Sequence, residues 1–579
     1  MLVQHLSVVK GTKPAALSRK MSVEEKKKPK MAQDTYEVKV DVPDMPEAGF
    51  SWRVLWKFCG PGLLMSIAYL DPGNIESDLQ SGAVAQFKLI WVLLLAHVLG
   101  LLLQRLSARL GVVSGKHMAE IAHSYYPRYP RLVLWIMVEI AIIASDMQEV
   151  IGTAISLYLL SDGKIPLWAG VLITISDTFT FLFLERYGVR KFEAFFAFLI
   201  ACMAAAFGFE FAKSKPNPGQ LFTGMVLPWC SGCGTTQFLQ GVSIVGAVIM
   251  PHNLYLHSAL VKSRLVDRSR EHKVREANMY YFIESFFALF CSFWINVLVV
   301  AVFAQGLYGK TNADVRDSCY TVDNHMPEFY KVVFENNTEP ADVDIFHAGV
   351  FLGCTFGVGA LYVWAIGILA AGQSSTMTGT YAGQFAMEGF VQIKLPQWKR
   401  ILVTRSLAMA PTLLVTIFSG GIQHITGLND FLNCVQMIQL PFAILPALTF
   451  VSDKRVMFNF KTSRAQKAFA LVASIGVLLI NFYFLYAWVG TTFGLSTVSI
   501  SITAVLTVVY LFAVFYLFYY CLVAMGIVRR LNWKCLPEPK YEDFDAPWLN
   551  PPSDYGSTAC YDNSIDESDG SESIKKMTL

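Results

Sequence analysis

The sequence predicts an all-α polytopic membrane protein in which two of the spans are broken near the bilayer centre. Three observations carry this. The chain of 579 residues is 54% hydrophobic and only 16% charged, with a mean hydropathy of +0.43, whereas soluble domains carry about 25% charge. Apolar runs of bilayer-spanning length recur along most of the chain, too often and too long for the core helices of soluble domains. Two of those runs share one punctuation, Ala68-Tyr69-Leu70-Asp71-Pro72-Gly73-Asn74 and Ala247-Val248-Ile249-Met250-Pro251-His252-Asn253. Proline inside a helix removes a donor and clashes with the preceding turn, so the backbone must open there. Open backbone at membrane depth survives only where it lines a cavity or is buried in protein. A matching pair of such breaks in two halves of a chain points to the binding site of a secondary transporter.

Reading the apolar runs in order gives twelve spans, near 55–83, 87–110, 132–160, 164–184, 191–212, 238–262, 278–306, 345–371, 397–419, 429–451, 465–489 and 495–528. The first and sixth hold the breaks at Pro72-Gly73 and Pro251, and the third and seventh carry acidic residues. Residues 1–52 are polar and Lys-rich with no apolar signal-peptide core, so the first membrane segment is expected to serve as an uncleaved anchor. The charged tail 1–50 and the tail 531–579, rich beyond residue 540 in Asp, Glu, Ser, Pro and Gly, are expected to be disordered, because neither can bury enough apolar surface to offset ordering entropy.

Lys and Arg set the orientation. One set of alternate loops holds Arg105, Arg109, Lys116, Arg128 and Arg131, then Arg186, Arg190 and Lys191, then Lys262 to Arg275, and later Lys394, Lys399, Arg400 and Lys454 to Lys467. The opposite loops are poor in them, which places both termini in the cytoplasm. On the outer side, the longest loop (307–344) contains the N-glycosylation sequon Asn336-Asn337-Thr338.

Asp71 is the residue that most needs a function. A carboxylate near the bilayer centre costs at least ~2.5–3.5 kcal/mol on insertion scales. Capping its own half-helix would account for Asp71 alone, but not for the matching break at Pro251. Asn74 could bring an amide oxygen to the same cavity, and unwinding frees main-chain carbonyls, notably those of Ala68 and Ala247. Met250 occupies the position that matches Asp71. A methionine in an apolar helix is ordinarily gap filler. Beside a carboxylate and an amide oxygen, however, its soft thioether disfavours calcium and magnesium and suits first-row transition metals, so Mn²⁺, Fe²⁺ and neighbouring divalents are the expected cargo. His252 and His257 are either satisfied helix-interior residues or stations of a proton relay, with Asp146 and Glu149 on one face of the third span as further stations. Arg405 would be a countercharge or a snorkelling anchor. Asn433, with Gln436 one turn away, is a candidate ligand from the tenth span.

These strings resemble the signatures of the NRAMP family of divalent metal transporters. So does Gly372-Gln373-Ser374-Ser375-Thr376-Met377-Thr378-Gly379-Thr380-Tyr381-Ala382-Gly383-Gln384, similar to the family's transport motif after the eighth span. The resemblance covers roughly residues 50–525 and includes features of animal members, among them Pro441 within Gln439-Leu440-Pro441-Phe442-Ala443. It implies a LeuT-like fold of 5+5 helices in inverted repeats, spans 1–5 (51–215) and spans 6–10 (238–453), joined by an outer loop (216–237) and followed by spans 11–12 (454–530). It implies proton-coupled metal import, with Asp71, Asn74, Met250 and the Ala247 carbonyl binding the ion. The positions of His252, Asp146, Glu149 and Arg405 are those tied to proton movement. No cofactor is implied; the metal ions and H⁺ are cargo.

Other signals are weaker. Cys59, Cys202, Cys291, Cys354, Cys434 and Cys521 fall in apolar segments and read as buried thiols. Cys230, Cys233 and Cys319 lie in polar loops; three cysteines cannot all pair, so their connectivity stays open. Ser374, Ser375 and Thr376 are expected to cap or turn the chain at the cytoplasmic face. Tyr541-Glu542-Asp543-Phe544 resembles a Tyr-x-x-bulky-apolar sorting signal, which would suit cycling between plasma membrane and endosomal-lysosomal membranes. No Gly-rich nucleotide loop with Lys-Ser/Thr is present, which argues against an ATP-driven pump, and nothing points to nucleic acid. Two rival readings are a sodium-coupled solute carrier, whose substrate carboxylate Asp71 would repel, and a transport-inactive metal sensor, which would be expected to lose the ligands kept here.

Overall fold

The computed structural model describes residues 40–42, 50–174, 189–321, 326–341, 343–392, 397–418, 426–492, 497–531, 538–539, 541 and 544–549. In chain order the helices are α1 (Trp52–Phe58), α2 (Pro61–Ile67), α3 (Pro72–Ala85), α4 (Ile90–Ser114), α5 (Met118–Tyr125), α6 (Arg128–Leu160), α7 (Val189–Ser214), α8 (Pro218–Val226), α9 (Thr235–Val248), α10 (Pro251–Leu260), α11 (Glu271–Gly306) and α12 (Asn312–Thr321). They continue with α13 (Ile345–Phe356), α14 (Val358–Val391), α15 (Gln397–Phe418), α16 (Thr426–Gln439), α17 (Pro441–Ser452), α18 (Arg464–Thr492) and α19 (Thr497–Met525).

Proline at the first turn starts α2, α3, α10 and α17, where its fixed φ suits the helix and its missing N–H is not needed. The two expected breaks follow directly: α2 ends at Ile67 and α3 begins at Pro72, while α9 ends at Val248 and α10 begins at Pro251. Among the described residues, eight helical stretches are long and apolar enough to cross a membrane, one of them the α9–α10 pair. The others are α4, the stretch Glu193–Ser214 of α7, α11, α14, the stretch Phe431–Ser452 through α16 and α17, and parts of α18 and α19. The remaining expected spans are the broken α2–α3, the acid-bearing α6, α15, and a segment that is helical over 167–174 before leaving the described residues.

The broken helices are held from both sides. α6 packs on α14, α11 packs on α2, α3 and α4, and α9 packs on α3, α4 and α16. The main core gathers Leu70 of the break, Ile75 and Leu79 of α3, Ile151 and Ile155 of α6, Phe303 of α11 and Trp364 of α14. α19, by contrast, turns Val505, Leu506, Val508, Val509, Phe512 and Phe515 outward, the apolar surface that a helix facing lipid requires.

Several expectations change. The eighth span does not run over 345–371. Gly357, at φ +96°, separates α13 from α14, and α14 continues unbroken to Val391. The motif 372–384 is therefore helix interior, and Ser374, Ser375 and Thr376 are buried within it instead of turning the chain. Cys354 is not a lone thiol: it is bonded to Cys319, joining α13 to α12, while Cys230 pairs with Cys233. Of the other apolar-segment cysteines, Cys434 and Cys521 are buried, Cys59 and Cys202 half-buried and Cys291 exposed. Neither tail is wholly without structure. Val40–Asp41 forms a short parallel strand with Arg264–Leu265, and Tyr541 and residues 544–549 lie against the segments that follow α4, α10 and α17. Both segments find partners that composition alone does not reveal.

At the start of α2 the chain is clamped by buried charge. Glu284 Oε1 accepts hydrogen bonds from the N–H groups of Gly60 and Gly62, the latter at 2.9 Å, satisfying donors that a helix N-terminus leaves open. The Arg264 guanidinium, fully buried, donates to the Lys57 carbonyl (2.9 Å) and the Cys59 carbonyl (2.6 Å) and pairs with Glu193 at 2.7 Å. Arg264→Ala leaves the Glu193 carboxylate buried beside two carbonyls that have lost their donor. A loss of about 3–5 kcal/mol in stability is expected in denaturation of the purified protein, with Arg264→Met combined with Glu193→Leu recovering most of it. Equal losses in the two variants would show that the pair does not hold α2.

Candidate metal site at the two helix breaks

Each break exposes backbone groups that the fold then covers. α2 closes in a tight turn, with Tyr69 N–H donating to Ser66 and Leu70 N–H to Ile67. The carbonyl of Ala68 accepts from Asn253 Nδ2 on α10 (3.4 Å), and that of Tyr69 from Asn296 Nδ2 on α11 (3.0 Å). Across the gap, Met250 is the N-cap of α10 and lies 2% exposed, with Ser145 Oγ of α6 at 4.0 Å from its sulfur. Ala247, in the last turn of α9, is fully buried.

Asp71 caps α3 and does more than cap it. Its Oδ1 accepts from the backbone N–H of Asn74 at 3.1 Å and from the Asn74 side-chain amide. Its Oδ2 and the Asn74 Oδ1 are buried without a hydrogen-bond partner among the described residues. Two oxygens without a protein donor, one formally anionic, are what a cation needs. Among the described residues no three His, Cys, Asp or Glu side chains group as a metal cluster. The donors at the breaks are instead one carboxylate, one amide oxygen, one thioether and main-chain carbonyls.

A layer of amides and hydroxyls surrounds this gap. Gln148 Nε2 of α6 donates to Asn433 Oδ1 (2.8 Å) and to the Asn429 carbonyl (3.1 Å), while Gln436 Nε2 donates to Gln148 Oε1 (2.7 Å). Asn433 Nδ2 donates to Ser243 Oγ of α9 at 3.2 Å. Both ends of the Asn433 amide are thus engaged within the network. Glu149 Oε1 accepts from Ser375 Oγ of α14 (2.6 Å) and Ser145 Oγ (3.3 Å). Ser145 therefore lies between Glu149 and Met250, and Asp146 on the next residue packs against Gly379. His252 and His257 are both buried on α10. Arg405 lies on α15, with its side chain outside the described residues.

The sequence profile described as natural resistance-associated macrophage protein-like matches residues 62–487, most of the chain. This chain belongs to the Nramp family. It is 68% identical to the NRAMP-like transporter smf-3 of Caenorhabditis elegans over 528 residues, 91% of this chain and 94% of that one. It is 56% identical to natural resistance-associated macrophage protein 2 of Homo sapiens over 490 residues, 84% of this chain and 85% of the human protein. Among solved structures, that of an Eremococcus coleocola manganese transporter aligns at a TM-score of 0.72 and 28% identity, covering 85% of this chain and 98% of that one. The architecture is the LeuT-like one expected for an Nramp protein.

Sequence reasoning missed much of the supporting layer of this Nramp chain. Glu76 and Asp78 are buried in the same broken span as Asp71, and the insertion-cost argument that singles out Asp71 applies to them equally. Glu76 Oε1 accepts from Gln80 (2.9 Å), and its Oε2 accepts the N–H of Ile345, the first residue of α13 (2.8 Å). Gln148, Ser145 and Ser375 carry no charge to betray them, but Ser145, Gln148 and Glu149 fall at helical spacing on one face.

The approach of α6 to α3 is close enough to be tested. A Cβ at Gly73 would come within 2.6 Å of Gln148 Oε1. Gly73→Ala is expected to cost about 1–3 kcal/mol through overpacking. Gln148→Ala in the same chain should remove most of that cost, measured as a coupling between the two changes in a denaturation cycle. Simple additivity would show that the two groups do not press on each other.

Proposed function

We propose that this protein is a secondary active transporter that imports divalent transition-metal ions, Fe²⁺ and Mn²⁺ among them, into the cytosol together with protons. The carrying observation is the buried Asp71 Oδ2 and Asn74 Oδ1, both without a protein donor, at a break whose counterpart presents Met250. Asp71, Asn74, Met250 and the carbonyls of Ala68 and Ala247 would replace the hydration shell of the ion, with Asn433 acting through the amide network more than as a direct ligand. The carboxylate supplies charge, and the thioether weakens the site for hard cations. That the relatives include a manganese transporter and NRAMP-like transporters supports the reading.

Proton movement is assigned to the polar track that leaves the site through His252, His257, Asp146 and Glu149 toward Arg405. Asp71 alone cannot hold a metal ion and a proton in the same step, so coupling requires further acceptors. The protein sits with both termini in the cytoplasm, and twelve spans satisfy that arrangement. Besides the Lys and Arg bias, the Cys230–Cys233 disulfide, Cys319 of the second disulfide and the exposed Asn336 fall on loops assigned to the outside, where disulfides persist and the sequon is accessible to glycosylation. The membrane is the plasma membrane, an endosomal-lysosomal membrane or both, and Tyr541 to Phe544 would be the segment that sorting adaptors read.

The test is simultaneous measurement of Mn²⁺ and proton fluxes in liposomes. Asp71→Asn should abolish Mn²⁺ uptake, a drop of about a hundredfold or more for loss of the one anionic ligand, while the protein stays folded. Near-parental uptake would remove Asp71 from the site. Met250→Ala should keep uptake but let excess Ca²⁺ compete; unchanged resistance to Ca²⁺ would place selectivity elsewhere. Asp146→Asn and Glu149→Gln should lower metal-stimulated proton entry more than metal binding, and His252→Ala should shift the pH dependence of uptake. Parental proton flux and pH profile in all three would make these residues structural.

A further inference from the structure

The segment that carries the tyrosine tetrapeptide does not hang free below the membrane. The Tyr541 hydroxyl donates to Asp453 Oδ2 at 3.0 Å, beside the Tyr125 hydroxyl, which donates to the same oxygen at 3.0 Å. Asp453 is itself fixed at the end of α17, where its Oδ1 accepts from the Arg455 N–H at 2.9 Å. The Arg455 guanidinium lies 4.3 Å from the centre of the Tyr541 ring, and its Nη1 is 3.2 Å from Glu538, three residues upstream. Burial and the Asp453 carboxylate push the Tyr541 phenol pKa up, so it remains a donor through the physiological range.

Three residues on, the Phe544 ring faces the Lys116 ammonium at 5.2 Å. Beyond it, Arg268 donates to the Asp545 carbonyl at 3.2 Å. Trp548, only 9% exposed, packs edge-on against Phe458 and Phe460 at centroid distances of 6.0 and 5.6 Å. The docked segment thus touches the loop after α4, the loop after α10 and the turn after α17.

A Tyr-x-x-bulky-apolar signal is read as an extended peptide whose tyrosine and apolar side chains enter pockets on the reader. Here the Tyr541 hydroxyl is bonded to Asp453, its ring is covered by Arg455, and Phe544 is against Lys116. We propose that the tetrapeptide is a masked recognition signal, available to an adaptor that binds tyrosine-based peptides only when Tyr541 and Phe544 leave their contacts on the cytoplasmic face. This rests on the reading of the tetrapeptide as a sorting signal. Docking and recognition then compete for the same two side chains, and the apparent affinity of the adaptor falls by the fraction of time the segment spends undocked.

The full-length protein in nanodiscs, titrated with a purified adaptor subunit that binds tyrosine-based peptides, tests this against a synthetic peptide of residues 536–549. The peptide represents the unmasked signal. The intact protein should bind at least about tenfold more weakly than the peptide, as expected if the segment is docked more than nine-tenths of the time. Trp548→Ala and, separately, Glu538→Ala remove docking contacts outside the tetrapeptide and should bring the affinity close to that of the peptide. Adding Tyr541→Ala to Trp548→Ala should abolish the gain. If the peptide itself fails to bind, the sorting reading falls and the proposal with it. If the peptide binds and the intact protein binds equally well, the signal is read but not masked. If both docking variants stay as weak as the parent, or the gain survives without Tyr541, the contacts described above are not the mask.

Discussion

A helix that is opened inside a membrane must find partners for the backbone groups it releases, and this requirement organises the molecule. Water would satisfy those groups in a soluble protein; in hydrocarbon only protein can. Two released carbonyls on the first break are met by Asn253 and Asn296, one from the second broken helix and one from α11, which packs on both halves of the first. The Asp71 cap serves the first turn of α3, and proline at the start of α3 and α10 removes a donor that would otherwise need one. Once these demands are met, the polar atoms left over at the breaks, Asp71 Oδ2, Asn74 Oδ1 and Asn253 Oδ1, are concentrated where the helices part. Buried oxygens without a protein donor at the ends of two half-helices are suited to meeting a cation.

That concentration depends on neighbours with no ligand of their own. Gly73 lets Gln148 approach α3, and Gln148 then ties α6 to α16 through Asn433 and Gln436. Ser375 and Ser145 hold Glu149 from two helices. Polar networks in low dielectric favour a single arrangement when fully satisfied, and they change as a unit when one member moves. The helices around the site are therefore coupled by directional bonds rather than by apolar contact alone.

The breaks and the membrane class were legible because proline and intramembrane charge are costly and so stand out in a sequence. The path of α14 was not. Its middle, Ser374 to Thr380, is made of small polar residues that read as a turn in isolation, yet it is buried against α6, where Ser375 finds Glu149. The Cys319–Cys354 bond escaped because Cys354 sits in an apolar run that looked like a span and is in fact the separate helix α13. The docked tail escaped for the opposite reason. Its composition is that of a disordered chain, and only the aromatic and basic surface opposite it, Tyr125, Arg455, Phe458 and Phe460, makes a seat.

Both ends of the described chain arrive at one place. The strand Val40–Asp41 lies along Arg264–Leu265, and Asp545 lies against Arg268, so the short stretch that leaves the second broken helix carries a piece of each terminus. Anything that pulls on Val40–Asp41 or on Asp545 therefore acts on that stretch, and through Arg264 on the start of α2. A fluorescent tag or purification handle is then not a neutral label on this protein. It is a weight on the stretch that follows α10 and, through Arg264, on the start of α2.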